Sequence, residues 1–144
     1  MASQPIVQLL RGATAAIALT LACYGGVASA EDVKVVLSGN QEIPPATTKA
    51  SGQATLNVGP DKTVKGRIVI SGINPIFAHV HEAPAGKNGP IVFPLKRVSD
   101  TEWTVPEGTQ LTDAQYQAFK AGNLYLNFHS DEYKGGEIRG QIKP

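Results

Sequence analysis

Sulfur is nearly absent from this chain. It has one cysteine and one methionine, and they are Cys23 and Met1, both near the N-terminus. Residues 31–144 therefore hold neither. That stretch can form no disulfide and has no thiol nucleophile. It offers no thiolate or thioether to a metal, which disfavours a soft, sulfur-rich Cu(I) site. An excess of either charge is missing too. Without Arg11, 12 of the 13 basic residues remain, against 12 acidic ones. No basic surplus is left to hold nucleic acid or an anionic membrane surface. There is no Gly-Lys-Ser/Thr phosphate loop, no internal repeat and no low-complexity linker. Histidine is scarce as well, at three residues, and their placement carries the functional reading.

Arg11 is followed by an uncharged, Ala/Leu-rich stretch from Gly12 to Ala30 that closes on Ala28-Ser29-Ala30, a small-x-small cleavage pattern. Charge resumes at once with Glu31-Asp32. Residues 1–30 read as a secretory signal peptide and 31–144 as one domain. An uncleaved anchor helix ranks second, because Gly25, Gly26, Ser29 and the threonines weaken the segment's hydropathy. A lipoprotein reading at Cys23 ranks below that, since Thr20 stands where the motif wants Leu. The expectation is a periplasmic or secreted protein with no stable membrane insertion after cleavage.

Over 31–144 the dominant period is two. Val33, Val35 and Leu37 alternate with Lys34, Val36 and Ser38; Ala54, Leu56 and Val58 with Gln53, Thr55 and Asn57; and Val64, Ile68 and Ile70 with Lys65, Arg67 and Ser71. Further strands are expected at 77–82, 91–97, 101–105, 123–130 and 137–142. Turn residues punctuate them, among them Pro44-Pro45, Gly59-Pro60-Asp61 and Gly135-Gly136. Short strands with frequent turns predict an all-β fold, an antiparallel Greek-key-like β-sandwich or barrel. A single helix is expected at about 113–121. Thr112 and Gln115 can form a capping box, and Gly122-Asn123 supplies the stop. A chain of this size buries a core without a metal staple.

His79 and His81 stand at i and i+2, so both imidazoles leave one face of a strand. Ala78 and Val80 suit the core, which turns Phe77, His79 and His81 outward. In 123–130 the core set is Leu124, Leu126 and Phe128, so Tyr125, Asn127 and His129 point outward. If the two strands are neighbours, the three rings meet on one outer surface. Three neutral imidazoles make a site for copper, with zinc as the alternative. Glu82 and Asp131, one and two residues from a histidine, are the carboxylates expected to touch the site. Glu137 and Arg139 share an outward face and read as a surface salt bridge. Glu42 reads as a backbone-tying carboxylate in the Pro-Pro loop. Ser130 follows His129 directly but points to the opposite face, which removes it as a nucleophile activated by that ring.

Longer motifs run through the whole domain: Leu37-Ser38-Gly39-Asn40-Gln41-Glu42-Ile43-Pro44-Pro45, Gly52-Gln53-Ala54-Thr55-Leu56, Ala78-His79-Val80-His81, Asn88-Gly89-Pro90-Ile91-Val92-Phe93-Pro94-Leu95, Leu111-Thr112, Ala121 to His129, and Gly136-Glu137-Ile138-Arg139-Gly140-Gln141. In this order they resemble the CHRD domain family, and the resemblance implies a single all-β CHRD domain. His79-Val80-His81-Glu82 is also similar to the copper-ligand strand of Cu,Zn superoxide dismutases. That family needs further histidines, an aspartate for zinc, a bridging histidine and a disulfide, whereas residues 31–144 have one histidine outside the motif and no cysteine. A simpler mononuclear site is expected. A two-copper centre across a homodimer, six histidines brought together, stays open.

The leading expectation is thus an exported protein that binds a metal ion, copper first, through His79, His81 and His129, in copper storage, delivery or detoxification, with a protein partner for delivery. A metal-independent module binding protein or glycan is the alternative, and a copper redox enzyme ranks below both.

Overall fold

The computed structural model describes Met1 and residues 29–144. The signal segment expected at 1–30 falls outside them except at its two ends. The elements run β1 (Glu31–Ser38), a 3-10 turn (Gly39–Gln41), β2 (Ser51–Val58), β3 (Val64–Ser71), β4 (Phe77–Glu82), β5 (Ile91–Pro94), β6 (Lys96–Arg97), β7 (Glu102–Thr104), α1 (Asp113–Lys120), β8 (Leu124–His129) and β9 (Ile138–Ile142). All nine strands join one sheet in the order β5-β4-β8-β9-β1-β2-β3-β7-β6. Each pairing within it is antiparallel.

The sheet rolls into a nearly closed barrel, and its seam is covalent. β5 and β6 are its two edge strands, yet only Leu95 separates them in sequence. The Leu95 N–H donates to Ala78 O at 2.8 Å, and its side chain is buried in the core. The single strand expected at 91–97 is therefore two short strands. Its first part pairs with β4 and its second with β7, and the change of partner at Leu95 draws the edges together. The one-residue link leaves little edge for another chain to pair with.

Alternation decides which side chains fill the barrel. Val33, Val35 and Leu37 face in from β1, Ala54, Leu56 and Val58 from β2, and Leu124, Leu126 and Phe128 from β8. Trp103 meets Phe128 edge-on at 5.5 Å between ring centroids. The outward set of β1 lies open, with Val36 65% exposed. The helix begins where the sequence predicts and stops one residue earlier. Both capping-box bonds are present, Gln115 N–H to Thr112 Oγ1 at 3.2 Å and Thr112 N–H to Gln115 Oε1 at 2.9 Å, and buried Phe119 ties α1 to the core.

Candidate metal centre

β8 lies between β4 and β9, so its outward side chains have neighbours on both sides. Phe77 stands opposite His129, His79 opposite Asn127 and His81 opposite Tyr125. Across the other ladder Asn127 faces Arg139 and Tyr125 faces Gln141. All six residues of β8 are buried, so this face is covered on its outer side as well. The cover comes from three loops that bind one another and the face beneath. Asn88 Nδ2 donates to Ile43 O at 3.0 Å, the Gly89 N–H to Tyr125 Oη at 3.1 Å, and Tyr133 Oη–H to Thr47 O at 2.8 Å.

Beneath that cover the three histidines converge. Each offers one ring nitrogen, and the three nitrogens lie within 4.8 Å of one another. His79 is half-buried, while His81 and His129 are 9% and 7% exposed. Two backbone carbonyls fix the tautomers, because a carbonyl only accepts. His81 Nδ1–H donates to Gly89 O at 2.9 Å, and His129 Nδ1–H donates to Lys134 O at 3.0 Å. Both Nε2 lone pairs are thereby freed. His129 Nε2 faces His79 Nδ1 at 3.4 Å, long for a hydrogen bond. Two nitrogens bound at about 2.0–2.1 Å to a tetrahedral ion stand about 3.3–3.4 Å apart, which is the same spacing. His81 Nε2 is buried with no hydrogen-bond partner. Leaving a buried polar atom unpaired costs about 1–3 kcal/mol, so this nitrogen is poised for a ligand the protein does not itself supply.

The electrostatics keep the rings neutral. Burial lowers the proton affinity of His79 first, and the neighbouring His129 and His81 lower it further. Burial dominates for His81 too; its bond to Gly89 O pulls the other way, and the Arg139 charge adds to the lowering. His129 follows the same pattern, with burial opposed by its bond to Lys134 O. Neutral imidazole is the form that binds metals. The three residues could hold a metal ion, and the pattern would be mixed: Nδ1 of His79, Nε2 of His81 and of His129.

A second layer holds the first. The Tyr125 ring stacks on His81 with centroids 5.0 Å apart and planes 11° from parallel. The Arg139 guanidinium lies on Tyr125, its Cζ 3.5 Å from the ring centroid. Gly89 locks both aromatic rings, its carbonyl to His81 and its N–H to the tyrosine oxygen. It must be glycine: a Cβ there would stand 1.9 Å from Glu82 O. Asn127, between His79 and Arg139, turns its amide to Glu42 Oε1 and to Ile138 O. Glu42 is 5% exposed. Burial raises its pKa to about 7, although the Asn127 bond, the Arg139 charge and a backbone bond at Ile43 all act to lower it.

Comparison with protein families gives one match. The CHRD domain model matches residues 33–142. This chain belongs to the CHRD domain family. Comparison with curated proteins and with solved structures gives no match.

In this CHRD domain the outward facing of all three histidines is as expected, and their two strands are neighbours. Other expectations need correction. Among the described residues the ligand cluster holds the three histidines alone. Glu82 follows His81 by one residue and so takes the opposite face of β4, and Asp131 is exposed. Glu137 and Arg139 form no surface salt bridge. They are 6% and 1% exposed; Glu137 Oε1 accepts from Thr48 Oγ1 at 2.7 Å, and Arg139 bonds elsewhere. Alternation gives β9 a solvated face, but the loops after β1, β4 and β8 fold over it. The sequence pattern places Tyr125 on the histidine face but does not mark Glu42, Gly89 and Arg139 as parts of the site. The available signal was the length of the Pro/Gly-rich loops at 39–50 and 83–90, ample to cover a strand's outer face. Among the described residues no helix is long and apolar enough to cross a membrane.

Proposed function

We propose that this CHRD domain is exported and binds copper through His79 Nδ1, His81 Nε2 and His129 Nε2, and that it stores, delivers or detoxifies the metal. The observation that carries the reading is the buried, unpartnered Nε2 of His81 beside two nitrogens 3.4 Å apart. Copper is favoured over harder cations by an all-imidazole set without carboxylate. Zinc is the competing occupant. Three protein ligands leave one position open to water or to a ligand from a delivering partner. That opening suits a metal that must be passed on.

The test is metal retention after loading with Cu(II) or Zn(II) and desalting. About one copper per chain is expected, lost in the variant with all three histidines changed to alanine. The mature amino terminus is a rival chelator, because a free amine and adjacent amides bind Cu(II). It would sit at Glu31, the far end of β1 from Ser38, roughly 23 Å away at about 3.3 Å per residue, while Ser38 pairs with Arg139 at the site's edge. The two chelators are therefore separable. If the triple variant keeps native affinity and a chain with a blocked amino terminus loses it, the three-histidine site is wrong. For export the measurement is intact mass: a chain starting at Glu31 is expected, and retention of residues 1–30 in a membrane fraction contradicts it.

A further inference from the structure

Arg139 is a cation in the wrong place for a merely structural residue. It is 1% exposed. Its hydrogen bonds go to neutral acceptors: Asn88 Oδ1 at 3.3 Å, Pro84 O at 3.5 Å and Gln141 Oε1 at 3.1 Å. Among the described residues three ion pairs form, and Arg139 takes part in none. Glu42 is the carboxylate whose charge reaches it most directly, and that group is bonded to Asn127 instead. Burying a charge without an ionic partner is costly, so its position asks for a reason.

The position is on the back of a proposed ligand. Guanidinium, Tyr125 ring and His81 ring form one stack, with Arg139 Cζ 3.5 Å from the Tyr125 centroid and that centroid 5.0 Å from the His81 ring. Gly89 clamps both rings of the stack, and the His81 ring lies 5.6 Å from that of His79 and 6.0 Å from that of His129 between centroids. A fixed positive charge there opposes any gain of positive charge at the metal. It acts more strongly against Cu(II) than against Cu(I).

We propose that Arg139, acting through the Tyr125 ring, is a charge-tuning residue that shifts bound copper toward its singly charged state. The inference rests on the copper reading of the three-histidine site. The equilibrium concerned is one-electron, Cu(II) plus an electron giving Cu(I), with no bond made or broken in the protein. A unit charge roughly 10 Å from the ion, at an effective dielectric near 20, favours the lower charge state by a factor on the order of ten.

The experiment is potentiometry of the copper-loaded protein, the electrode supplying the electron, together with Cu(I) and Cu(II) affinities from chelator competition. Three variants are compared. Arg139→Gln removes the charge. Arg139→Lys keeps it but loses the planar stack. Asn88→Asp leaves Arg139 in place and sets a carboxylate beside its Nη1; it gives up the bond from Asn88 Nδ2 to Ile43 O, so its melting transition and copper stoichiometry are matched to the parent before the ratio is read. Arg139→Gln and Asn88→Asp are each expected to move the Cu(I)-to-Cu(II) affinity ratio about tenfold toward Cu(II), a fall of about 59 mV for a one-electron couple. Arg139→Lys should stay near the parent. A ratio in Asn88→Asp within about twofold of the parent overturns the proposal, as does an Arg139→Lys change equal to that of Arg139→Gln. Wild-type protein that retains no copper at all is a different failure, because it removes the site itself.

Discussion

His81 shows how one side chain comes to serve a site. Its position on β4 sets its face, Gly89 O takes the Nδ1 proton, and the Tyr125 ring fixes the plane. Only Nε2 is left, and it has no partner. His129 is prepared in the same way by Lys134 O, whereas among the described residues no bond to a backbone carbonyl fixes His79. Replacing His81 or His129 by alanine should therefore weaken copper binding by at least about 100-fold, beyond the 10–100-fold typical of outer-shell changes. Tyr125→Phe keeps the stack and loses only the bond from Gly89 N–H, so about tenfold is expected. Isothermal titration of the three variants checks the order; a Tyr125→Phe loss as large as that of His81→Ala would contradict it. The pH dependence follows from the same burial. All three proton affinities lie below the usual histidine value of 6.5. Protons should therefore begin to displace copper only below about pH 6.5, the unperturbed pKa. Affinity measured from pH 8 downward should stay level through that value and then fall. A fall that begins near pH 7.5 would place the binding groups elsewhere.

At the level of the elements, the 83–90 loop carries the most specific requirement. Gly89 lies so close to Glu82 O that a methyl group there would meet it at 1.9 Å. Gly89→Ala must displace the loop, and with it both the carbonyl on His81 and the N–H on Tyr125. The expected result is a copper affinity lowered about 10–100-fold while the barrel still melts cooperatively. Loss of the fold itself would mean the loop is structural first. At the helix, Thr112→Ala should cost about 1 kcal/mol of stability and leave copper binding unchanged, which chemical denaturation and metal retention test together. These elements also mark what the sequence could and could not tell. The period-two runs and the Thr112/Gln115 box are local signals, and β2, β3, β4, β8 and α1 stand where those signals put them. Pairing of β4 with β8 is non-local. The alternation of Ala78 and Val80 with His79 and His81 fixed the face of the histidines but not their neighbour. The break at Leu95 was illegible because 91–97 is uniformly strand-like, and only barrel closure gives it two partners. Arg139 was illegible for the opposite reason: the alternation correctly turned it outward, and nothing in β9 itself records the loops that bury it.

At the scale of the whole molecule, one β-barrel carries two polar systems under its loop cover, and they respond to pH in opposite directions. The histidines are harder to protonate folded than unfolded. Below about pH 6.5 the unfolded chain takes up protons that the native one refuses, and stability falls as pH falls. Glu42 does the reverse. Its folded pKa is about 7 against 4.5 for the free side chain, so between those values the native state holds the extra proton. Its burial is least costly below pH 4.5 and most costly above pH 7, where the folded carboxylate is ionised. The metal-free protein should therefore show a shallow dependence from pH 7 to 5, two slopes partly cancelling. Glu42→Gln separates them. The amide keeps an oxygen for the Asn127 N–H and removes the titration. At pH 8 the variant should be more stable than the parent by on the order of 2–3 kcal/mol. The advantage should vanish near pH 4.5, leaving the histidine slope uncovered between pH 6.5 and 5. Urea denaturation of both metal-free proteins across that range is the measurement. An advantage independent of pH would mean that Glu42 is already neutral throughout or already ionised throughout, and that the pairing of Asn127 with Glu42 contributes packing alone.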